Sequence, residues 1–315
     1  MDIARVGEFR MLEHIGRLAA SQKDPRILLG PGDDCALVRA RPGYALALTA
    51  DEMAEGTHFP AGCPPALLGR KLARINLSDL AGMGNVKPVC ALCCAGLPRN
   101  ASWEWTKTFV RALMKELNRF GASLAGGNLA RSDKMHFSLT VTGEARPSEI
   151  IRRGGAKPGD LIFGIGALGQ ARAGLELVLS GHKTGKLVEA FWLPRIQPEA
   201  GAVIGKKKLA SAMMDNSDGL YKSVKTLAAA SGCGAFIDIT EDALSPELAR
   251  YCKARKKDWR EYILSGGEDY GLVMAVPPRR AAEFIKTFPR ARALGVMTKG
   301  KTIHANCRPE SFEHF

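Results

Sequence analysis

The sequence predicts an α/β (α+β) protein built from two domains. At 315 residues the chain is longer than most single-core domains, and 46% hydrophobic with 24% charged residues is typical of a globular protein. Strand-like segments alternate with long helical segments along the chain. Proline, glycine and arginine crowd together in ARPSEIIRRGGAKPGD, residues 145–160, which indicates a boundary. We therefore expect domains at residues 1–146 and 147–315.

The first half of the chain is expected to fold into four strands and two long helices. The strands are predicted at Tyr44–Asp51, 89–97, 122–128 (entering a turn at its glycine pair) and 136–145, and the helices at 66–84 and 102–120. The earlier helix has apolar residues on more than one side, which predicts burial between two layers. Ser102 is expected to cap the later helix and Gly121 to end it.

The second half continues the alternation of strands and helices. Strands are expected at 161–166 and 271–278, and helices at about 170–180, 215–232 and 279–288. Gly164, Gly166 and Gly169 follow the first of these strands in the spacing of a dinucleotide-binding fingerprint. That fingerprint needs a second strand ending in an acidic residue about 20 positions later. The chain has the helical, basic segment KTGKLVEAFW there, so a tight strand-to-helix turn is the better interpretation.

The bulk properties exclude several classes of function. The net charge of +13 comes from scattered basic residues with two short clusters, without interleaved aromatics or a nucleic-acid motif, so nucleic-acid binding is not expected. A basic surface would instead attract a phosphorylated metabolite. We see no apolar run long enough for a membrane span and no signal peptide, so the expected location is the cytoplasm. The one CxxC, Cys90 to Cys93, fits a buried strand better than a metal or redox site.

Acidic residues beside small ones recur along the chain, and five aspartates stand where side chains can converge on a cleft. They are Asp34, Asp51, Asp79, Asp215 and Asp218. Singly, such sites also fit ordinary turns or helix starts. Together, however, the carboxylates would raise one another's pKa values and become neutral unless cations were bound. Asp79 shares a helix face with Asn76 and Met83, and an aspartate on a buried helix needs a partner such as a cation.

The chemistry of this set points to phosphoryl transfer. Hard oxygen ligands suit Mg²⁺, which binds readily beside phosphate oxygens. Glycine pairs at 126–127 and 266–267 offer backbone N–H groups that phosphates can approach. The sequence thus predicts a nucleotide site with several magnesium ions, although it contains neither a Walker motif nor the HRD triplet of protein kinases. His58 fits both a contact to a substrate phosphate and a structural role.

An ordered series of motifs spans nearly the whole chain. The motifs are, in order, GDDCA, T-x-D-x-x-x-EG-x-HF, NLSDLAGMG, a glycine pair, RRGGAKPGD, D-x-SDGL, SGGEDY and a final aromatic-x-HF. This series resembles the thiamine-monophosphate kinase family of the aminoimidazole-ribonucleotide-synthetase-like superfamily. The resemblance implies two α/β domains, the first binding ATP and magnesium and the second completing the active site. It also implies a homodimer formed through the N-terminal sheets. The implied reaction is the ATP-dependent phosphorylation of thiamine monophosphate to the diphosphate by direct in-line transfer.

The resemblance also assigns roles to residues of this sequence. The implied magnesium ligands are Asp34, Thr49, Asp51, Asp79, Asp215 and Asp218, of which Asp218 is also the implied catalytic residue. The implied ATP-phosphate contacts are Gly127, Asn128, Arg153 and Ser217. The implied thiamine-phosphate contacts are His58, Glu268 and Phe312. Chemistry agrees with the last group, since Phe312 can stack on a flat heterocycle and Glu268 can accept a hydrogen bond from an aminopyrimidine.

The chain departs from the family pattern at three positions. Asn128 stands where the motif has an aspartate, Ala50 where a threonine is usual, and Gly271 where a glutamate is usual. Asn128 removes a full charge from the implied ATP-bridging metal, although an amide oxygen can still coordinate Mg²⁺. Two alternatives therefore stay open at this point. One is a related phosphotransferase with a shifted substrate, and the other is a binding protein for nucleotides or thiamine phosphates without turnover.

Overall fold

A computed structural model describes residues 2–6, 8–21, 24–29 and 37–307. The chain forms two compact units. The first unit comprises the described residues up to Leu80 together with Lys87–Pro147, and the second comprises Ala81–Val86 and the described residues from Ser148 onward. Within the described residues, no helix is both long and apolar enough to span a membrane.

The first unit contains a four-stranded sheet with two long helices on one face. Its elements are α1 (Ile3–Val6), α2 (Glu8–Ala20), β1 (Ile27–Leu29), β2 (Leu37–Val38), β3 (Ala45–Ala54), α3 (Pro65–Gly82), β4 (Lys87–Leu97), α4 (Trp103–Arg119), β5 (Ser123–Arg131) and β6 (His136–Ala145). The strand order is β3-β6-β4-β5, with β1 and β2 as a separate pair. β6 runs antiparallel to both β3 and β4, whereas β4 and β5 are parallel.

The two faces of this sheet differ because side chains alternate along a strand. On the inner face, Phe137, Leu139 and Val141 of β6 are almost fully buried. Phe109 of α4 stacks on Phe137 with ring centroids 4.2 Å apart. On the outer face, Leu48 of β3 is 69% exposed. Apolar burial therefore holds the helices to one face only, and α3 carries its polar residues against the inner side of β3.

An ion-pair cluster fixes α3 against α4. Glu116 of α4 accepts hydrogen bonds from Arg70 Nε at 2.9 Å and Arg74 Nε at 2.6 Å, both on α3. Burial alone would raise the pKa of the Glu116 carboxyl, but the two guanidinium groups hold it below its ordinary value. Because both partners of this buried cluster are charged and bonded, the helix that carries Asp79 is held in one register.

The predicted strand at 44–51 and the two predicted long helices are confirmed in their essentials, whereas the prediction for β5 is not. The strand at 44–51, the helix at 66–84 and the helix at 102–120 are present, and Ser102 accepts a hydrogen bond from Trp105 N as the predicted N-cap. The turn expected at Gly126–Asn128 is wrong, because β5 continues through these residues to Arg131. A glycine pair is also what a strand needs when another backbone lies very close, and the sequence pattern does not separate the two cases.

The second unit contains a six-stranded sheet covered by helices on both faces. Its helices are α5 (Gln170–Leu179), α6 (Lys186–Trp192), α7 (Pro198–Lys207), α8 (Leu220–Ser231), α9 (Pro246–Arg255), α10 (Trp259–Ser265) and α11 (Pro278–Thr287). Its strands are β7 (Leu161–Ile165), β8 (Ala212–Asp215), β9 (Gly234–Ile237), β10 (Leu272–Val276), β11 (Arg292–Thr298) and β12 (Ile303–Ala305), in the order β12-β9-β11-β7-β10-β8. Single-turn 3₁₀ helices lie at Pro147–Glu149 and Glu241–Ala243.

The segment GLVMAV is apolar throughout because strand β10, which it contains, is buried on both faces. Val273 and Ala275 point into a core shared with α8, whereas Leu272, Met274 and Val276 point into a second core with Phe284 of α11. The strand is thus buried on both sides. Together with the helix-backed first sheet, this arrangement confirms the predicted two-domain α/β (α+β) architecture.

Two further predictions need correction in detail. The helix expected from Asp215 begins only at Leu220, because Asp215 ends β8, where it pairs with Leu272. Gly219, with φ 96°, makes the turn into α8. Met83 lies just beyond the end of α3 at Gly82 and therefore does not share the helix face of Asn76 and Asp79.

Candidate active site

In the first unit, β3 and α3 bring four of the polar residues together. Thr49 Oγ1 donates a hydrogen bond to Asp79 Oδ2 at 2.5 Å, and Asp51 N donates to Asn76 Oδ1 at 2.9 Å. Thr49 and Asp51 are two residues apart on the strand, and Asn76 and Asp79 are three apart on the helix, so each pair shares a face. This group places two carboxylates and a hydroxyl on the inner side of the sheet.

The donors of this group are hard oxygens, the kind of ligand that Mg²⁺ prefers. Among the residues that the structure describes, no cluster of three or more His, Cys, Asp or Glu side chains is placed to hold a metal ion. Mg²⁺ keeps several waters and uses one or two carboxylates together with substrate phosphates. Asp51 and Asp79, with Thr49, supply that kind of partial site.

His58 lies in the tight turn that follows β3. Ala54 N donates to His58 Nδ1 at 3.0 Å, and His58 N donates to Ala54 O at 2.9 Å. A ring nitrogen that accepts a hydrogen bond carries no proton, so the neutral imidazole has its proton on Nε2. The bond to Nδ1 therefore fixes the orientation of the His58 ring.

Gly127 and Asn128 belong to strand β5. Gly127 has φ 156°, and a Cβ there would lie 1.8 Å from Cys93 O of β4, so only glycine fits. Asn128 is exposed, and its Oδ1 accepts a hydrogen bond from Leu129 N at 2.9 Å. In the sheet register Asn128 pairs with Cys94, which pairs with Ser138 of β6. This row lies on the outer face, opposite to the face that carries the residues bonded to α3.

In the second unit, the loop from β8 to α8 carries three predicted site residues. Asp215 is 3% exposed, at the end of β8. Asp218 is exposed and pairs with Lys222 Nζ, one turn into α8, at 2.7 Å. Lys222 was not predicted, although its (i, i+4) spacing from Asp218 was visible in the sequence. Ser217 lies between the two aspartates, and its backbone oxygen accepts a hydrogen bond from Glu268 N at 2.6 Å.

The loop containing Glu268 packs directly on this segment. Gly267 approaches so closely that a Cβ on it would lie 2.8 Å from Ser217 O. Glu268 and Tyr270 both have positive φ, 65° and 52°, which is unusual for residues other than glycine. Tyr270 N donates to Asn216 O at 3.0 Å. The second unit thus joins Asp215, Ser217, Asp218 and Glu268 in two adjoining loops.

Arg153 is exposed on the segment that leads into β7. Its neighbour Arg152 accepts a hydrogen bond from Met213 N through its backbone oxygen at 2.9 Å, which fixes this segment beside β8. Asp34 and Phe312 lie outside the described residues, and their predicted roles stay predictions.

The glycines of GIGALG do not offer a phosphate site at α5. Asp269 is 2% exposed, and its carboxylate accepts hydrogen bonds from Gly169 N at 2.5 Å and Ala171 N at 3.0 Å. The protein's own carboxylate therefore occupies the N-terminus of the helix. Burial raises the pKa of Asp269 to about 7, against the lowering effect of these backbone bonds. The sequence shows an aspartate beside Glu268, but nothing in its local pattern indicates this distant partner.

Comparisons with known proteins agree over the whole chain. The N-terminal domain model of AIR synthase related protein matches residues 32–145, and the corresponding C-terminal domain model matches residues 157–307. Thiamine-monophosphate kinase of Aquifex aeolicus (strain VF5) is 32% identical over 321 residues, covering 100% of both chains. The chain belongs to the thiamine-monophosphate kinase family. It is accordingly a member of a family of phosphotransferases.

Solved structures of thiamine-monophosphate kinases have the same fold. The enzyme from Stenotrophomonas maltophilia K279a superimposes with a TM-score of 0.81 at 29% identity, over 95% of this chain and 96% of that chain. The structure of AaThiL complexed with AMPPCP and TMP gives a TM-score of 0.79 at 30% identity, over 100% of this chain and 99% of that chain. The fold expected from the sequence motifs is therefore confirmed.

Two of the departures from the thiamine-monophosphate kinase pattern have a structural explanation. Ala50 pairs with Thr140 and is exposed on the outer face, so its side chain points away from Asp79. Gly271 lies where a Cβ would be 2.5 Å from Ile165 O of β7. A side chain at position 271 would force the two strands apart, so glycine here is a packing requirement of this chain. Nothing in the structure explains the replacement at Asn128.

Proposed function

We propose that this protein transfers the γ-phosphoryl group of ATP to thiamine monophosphate and so forms thiamine diphosphate and ADP. One observation carries the proposal. AaThiL complexed with AMPPCP and TMP, an ATP analogue and the acceptor of the proposed reaction, matches 100% of this chain at 30% identity. The predicted site residues lie within the matched part of the chain. A cytoplasmic location stays a prediction.

We further propose that the protein binds several Mg²⁺ ions and that their ligands include Thr49, Asp51 and Asp79 in the first unit, Asp215 and Asp218 in the second unit, and Asp34. Support comes from the donor chemistry described above, since partial oxygen sites of this kind suit Mg²⁺ bound together with phosphate. When bound, the metal would neutralise the charge of the phosphates during transfer.

The protein's own contribution to the reaction is positioning. An acceptor phosphate oxygen is already anionic near pH 7, so it attacks the γ-phosphorus without a general base as the bond to ADP breaks. Thr49 holds the Asp79 carboxylate through their hydrogen bond, and Lys222 does so for Asp218. Asp218, the proposed catalytic residue, thus acts through charge and not as a proton acceptor.

The remaining proposed contacts divide between the two substrates. Gly127, Asn128, Arg153 and Ser217 are proposed to contact the ATP phosphates. His58, Glu268 and Phe312 are proposed to contact the thiamine phosphate. The Ala54 N bond to Nδ1 holds the His58 ring in one orientation, and an imidazole N–H is a donor that suits a phosphate oxygen, which supports its place in this group.

We also propose a homodimer formed through the outer face of the first sheet. Leu46 (49% exposed), Leu48 (69%) and Leu92 (42%) lie on this face, whereas the other large exposed apolar residues of the described chain are scattered. Exposed large apolar side chains grouped on one sheet face are typical of an association surface. A two-fold interface would place the patch of one copy against the same patch of another.

A coupled ADP-release assay tests the proposed reaction. Purified protein with ATP and Mg²⁺ should release ADP only when thiamine monophosphate is present. Asp79→Asn, which keeps the size of the side chain but removes its charge, should lower kcat by about 100-fold or more, as lost transition-state charge stabilisation usually does. Asp242→Asn, the same change at an exposed site, should leave kcat unchanged.

The assay also separates the alternatives. ADP release with another phosphorylated heterocycle but not with thiamine monophosphate would mean a shifted substrate. Calorimetric binding of ATP without any release would mean a binding protein. Circular dichroism of Asp79→Asn must match the parent protein, since a collapsed spectrum would instead make Asp79 a residue of the fold.

A further inference from the structure

Asp269 lies at the junction of three segments of the second unit. Its carboxylate bonds to the first backbone N–H groups of α5, through Gly169 and Ala171. Gly169 in turn abuts α10, because a Cβ on it would lie 2.7 Å from Tyr262 O. Asp269 itself lies in the segment 266–270 that follows α10. One side chain therefore connects this segment to a helix that is distant in sequence. The two hydrogen bonds join residues that are 100 and 98 positions apart.

The two neighbours of Asp269 form backbone hydrogen bonds with a different segment, the loop between β8 and α8. Glu268 N donates to Ser217 O at 2.6 Å, and Tyr270 N donates to Asn216 O at 3.0 Å. Two backbone bonds thus attach the segment to the β8–α8 loop, and the Asp269 side chain attaches it to α5. A segment held from both sides has little freedom to shift.

This restraint matters because the segment is held in an unusual conformation. Glu268 and Tyr270 adopt positive φ values, which residues with a side chain rarely do unless the surroundings impose them. A fixed point between them opposes the relaxation of both residues toward ordinary backbone angles. The direction of the Glu268 side chain would change with the backbone.

We propose that Asp269 is a positioning residue, which fixes the direction of Glu268 toward the acceptor substrate by anchoring the 266–270 segment to the N-terminus of α5. This inference rests on the proposed function only in the identity of the acceptor, thiamine monophosphate. Asp269 itself contacts backbone groups and does not take part in the reaction. Its carboxylate is suited to the task because a negative charge at a helix N-terminus is stabilising and two oxygens can accept two N–H bonds.

Asp269→Asn is the test variant, because it keeps the size of the side chain but turns one acceptor oxygen into a donor. We expect KM for thiamine monophosphate to rise about tenfold or more, the usual effect of losing a hydrogen bond to a charged group. KM for ATP should change by less than about twofold on the same scale, because Ser217 is also held through β8. Equal increases in both KM values, or no increase for thiamine monophosphate, would overturn the proposal.

A double-mutant cycle separates positioning from a general loss of stability. If Asp269 acts through Glu268, then Asp269→Asn should have no further effect on KM for thiamine monophosphate in a Glu268→Gln background. Effects that simply add would overturn the proposal. Asp160→Asn is the matched control, since Asp160 is also buried (4% exposed) and accepts a backbone bond, from Lys157 N, at the opposite end of β7. It should lower stability without changing KM.

Hydrogen exchange keeps the test independent of the reaction. In Asp269→Asn, the amides of Gly169, Ala171, Glu268 and Tyr270 should exchange faster than in Asp160→Asn, with no substrate present. Unchanged exchange at Glu268 and Tyr270 would overturn the proposal. If the parent protein does not use thiamine monophosphate at all, the proposed function fails, and the exchange result still decides whether Asp269 anchors the segment.

A second variant, Asp269→Ser, tests the proposal if Asp269→Asn folds poorly. Asp269→Ser offers a hydroxyl oxygen that can accept one N–H bond, and it should show the same KM pattern. If both variants fail to fold while Asp160→Asn folds, Asp269 is a residue of the fold and the positioning role is wrong.

Discussion

Asn128 shows how one residue can read differently in a sequence and in a sheet. By motif it stands where the thiamine-monophosphate kinase pattern has an acidic residue, and the motif resemblance assigns that position to the ATP-bridging metal. In the structure it is exposed on β5, and its side chain bonds to the next residue, Leu129. An amide oxygen can coordinate Mg²⁺ but carries no charge. A site with asparagine at position 128 is therefore expected to bind the metal more weakly than the same site with aspartate.

We therefore predict that Asn128→Asp lowers the Mg²⁺ concentration needed for half-maximal activity. The physical reason is the charge that the variant adds at the position which the motif resemblance assigns to the ATP-bridging metal, and the measurement is a Mg²⁺ titration of the kinase rate. Asn100→Asp adds the same charge elsewhere on the exposed surface of the first unit and should leave the titration unchanged. If Asn128→Asp titrates like the parent protein, Asn128 does not lie near a metal.

At the scale of the element, the end of α3 sets the surroundings of Asp215. Gly82 is the last residue of α3, and a Cβ on it would lie 2.9 Å from Asp215 N. Both residues belong to the second unit. Glycine at this position allows the helix to end against the backbone of β8 without displacing the proposed metal ligand.

Gly82→Ala should therefore lower both stability and activity. The added methyl group must displace the Asp215 backbone, and overpacking of this kind usually costs about 1–3 kcal/mol in the free energy of unfolding. Gly16→Ala in α2 is the matched control, because a Cβ there meets nothing within 4 Å. It should raise the free energy of unfolding by about 0.5–1 kcal/mol through helix propensity. Denaturant melts and kcat measurements would check both, and a Gly82→Ala protein as stable and active as the parent would contradict the packing argument.

At the scale of the whole molecule, the outer face of the first sheet keeps large apolar side chains exposed in the part of the chain that the structure describes. Helices cover the inner face, and the second sheet has helices on both faces, but Leu46, Leu48 and Leu92 stay exposed. The row Glu52–Ser138–Cys94–Asn128 crosses the same face. In the proposed homodimer this row would lie at or beside the interface, which would connect Asn128 to the association of two copies.

Leu48→Lys should convert the proposed dimer into a monomer. A charge in the centre of an apolar interface must be desolvated without a partner, which disfavours association strongly. Leu179→Lys is the matched control, because Leu179 is 67% exposed and Leu48 is 69% exposed, while Leu179 lies at the end of α5. Analytical ultracentrifugation would measure both proteins. A parent protein that sediments as a monomer, or a Leu48→Lys protein that stays dimeric, would rule out this face as the interface.

Local signals account for the parts that the sequence predicted well. The helix at 66–84 was recognisable from its apolar sides, the cap at Ser102 from a residue type, and the strand at 44–51 from a short run, since each depends on neighbours within a few residues. The hydrogen bond between Thr49 and Asp79 could be inferred only after strand β3 and helix α3 had been placed beside each other. The continuation of β5 through Gly127 was not, because it depends on Cys93 O, which lies on another strand.

The sequence by itself determined the fold class, the family and the polar residues from which a site can be built, because motifs and periodicity are written in local order. Only the tertiary structure decided where those residues point. It set Asp79 against Thr49, turned Asn128 to the outer face, made Gly271 a packing requirement and placed Asp269 at the start of α5. Each of these outcomes depends on a backbone atom or side chain distant in sequence, and no local pattern encodes such a partner.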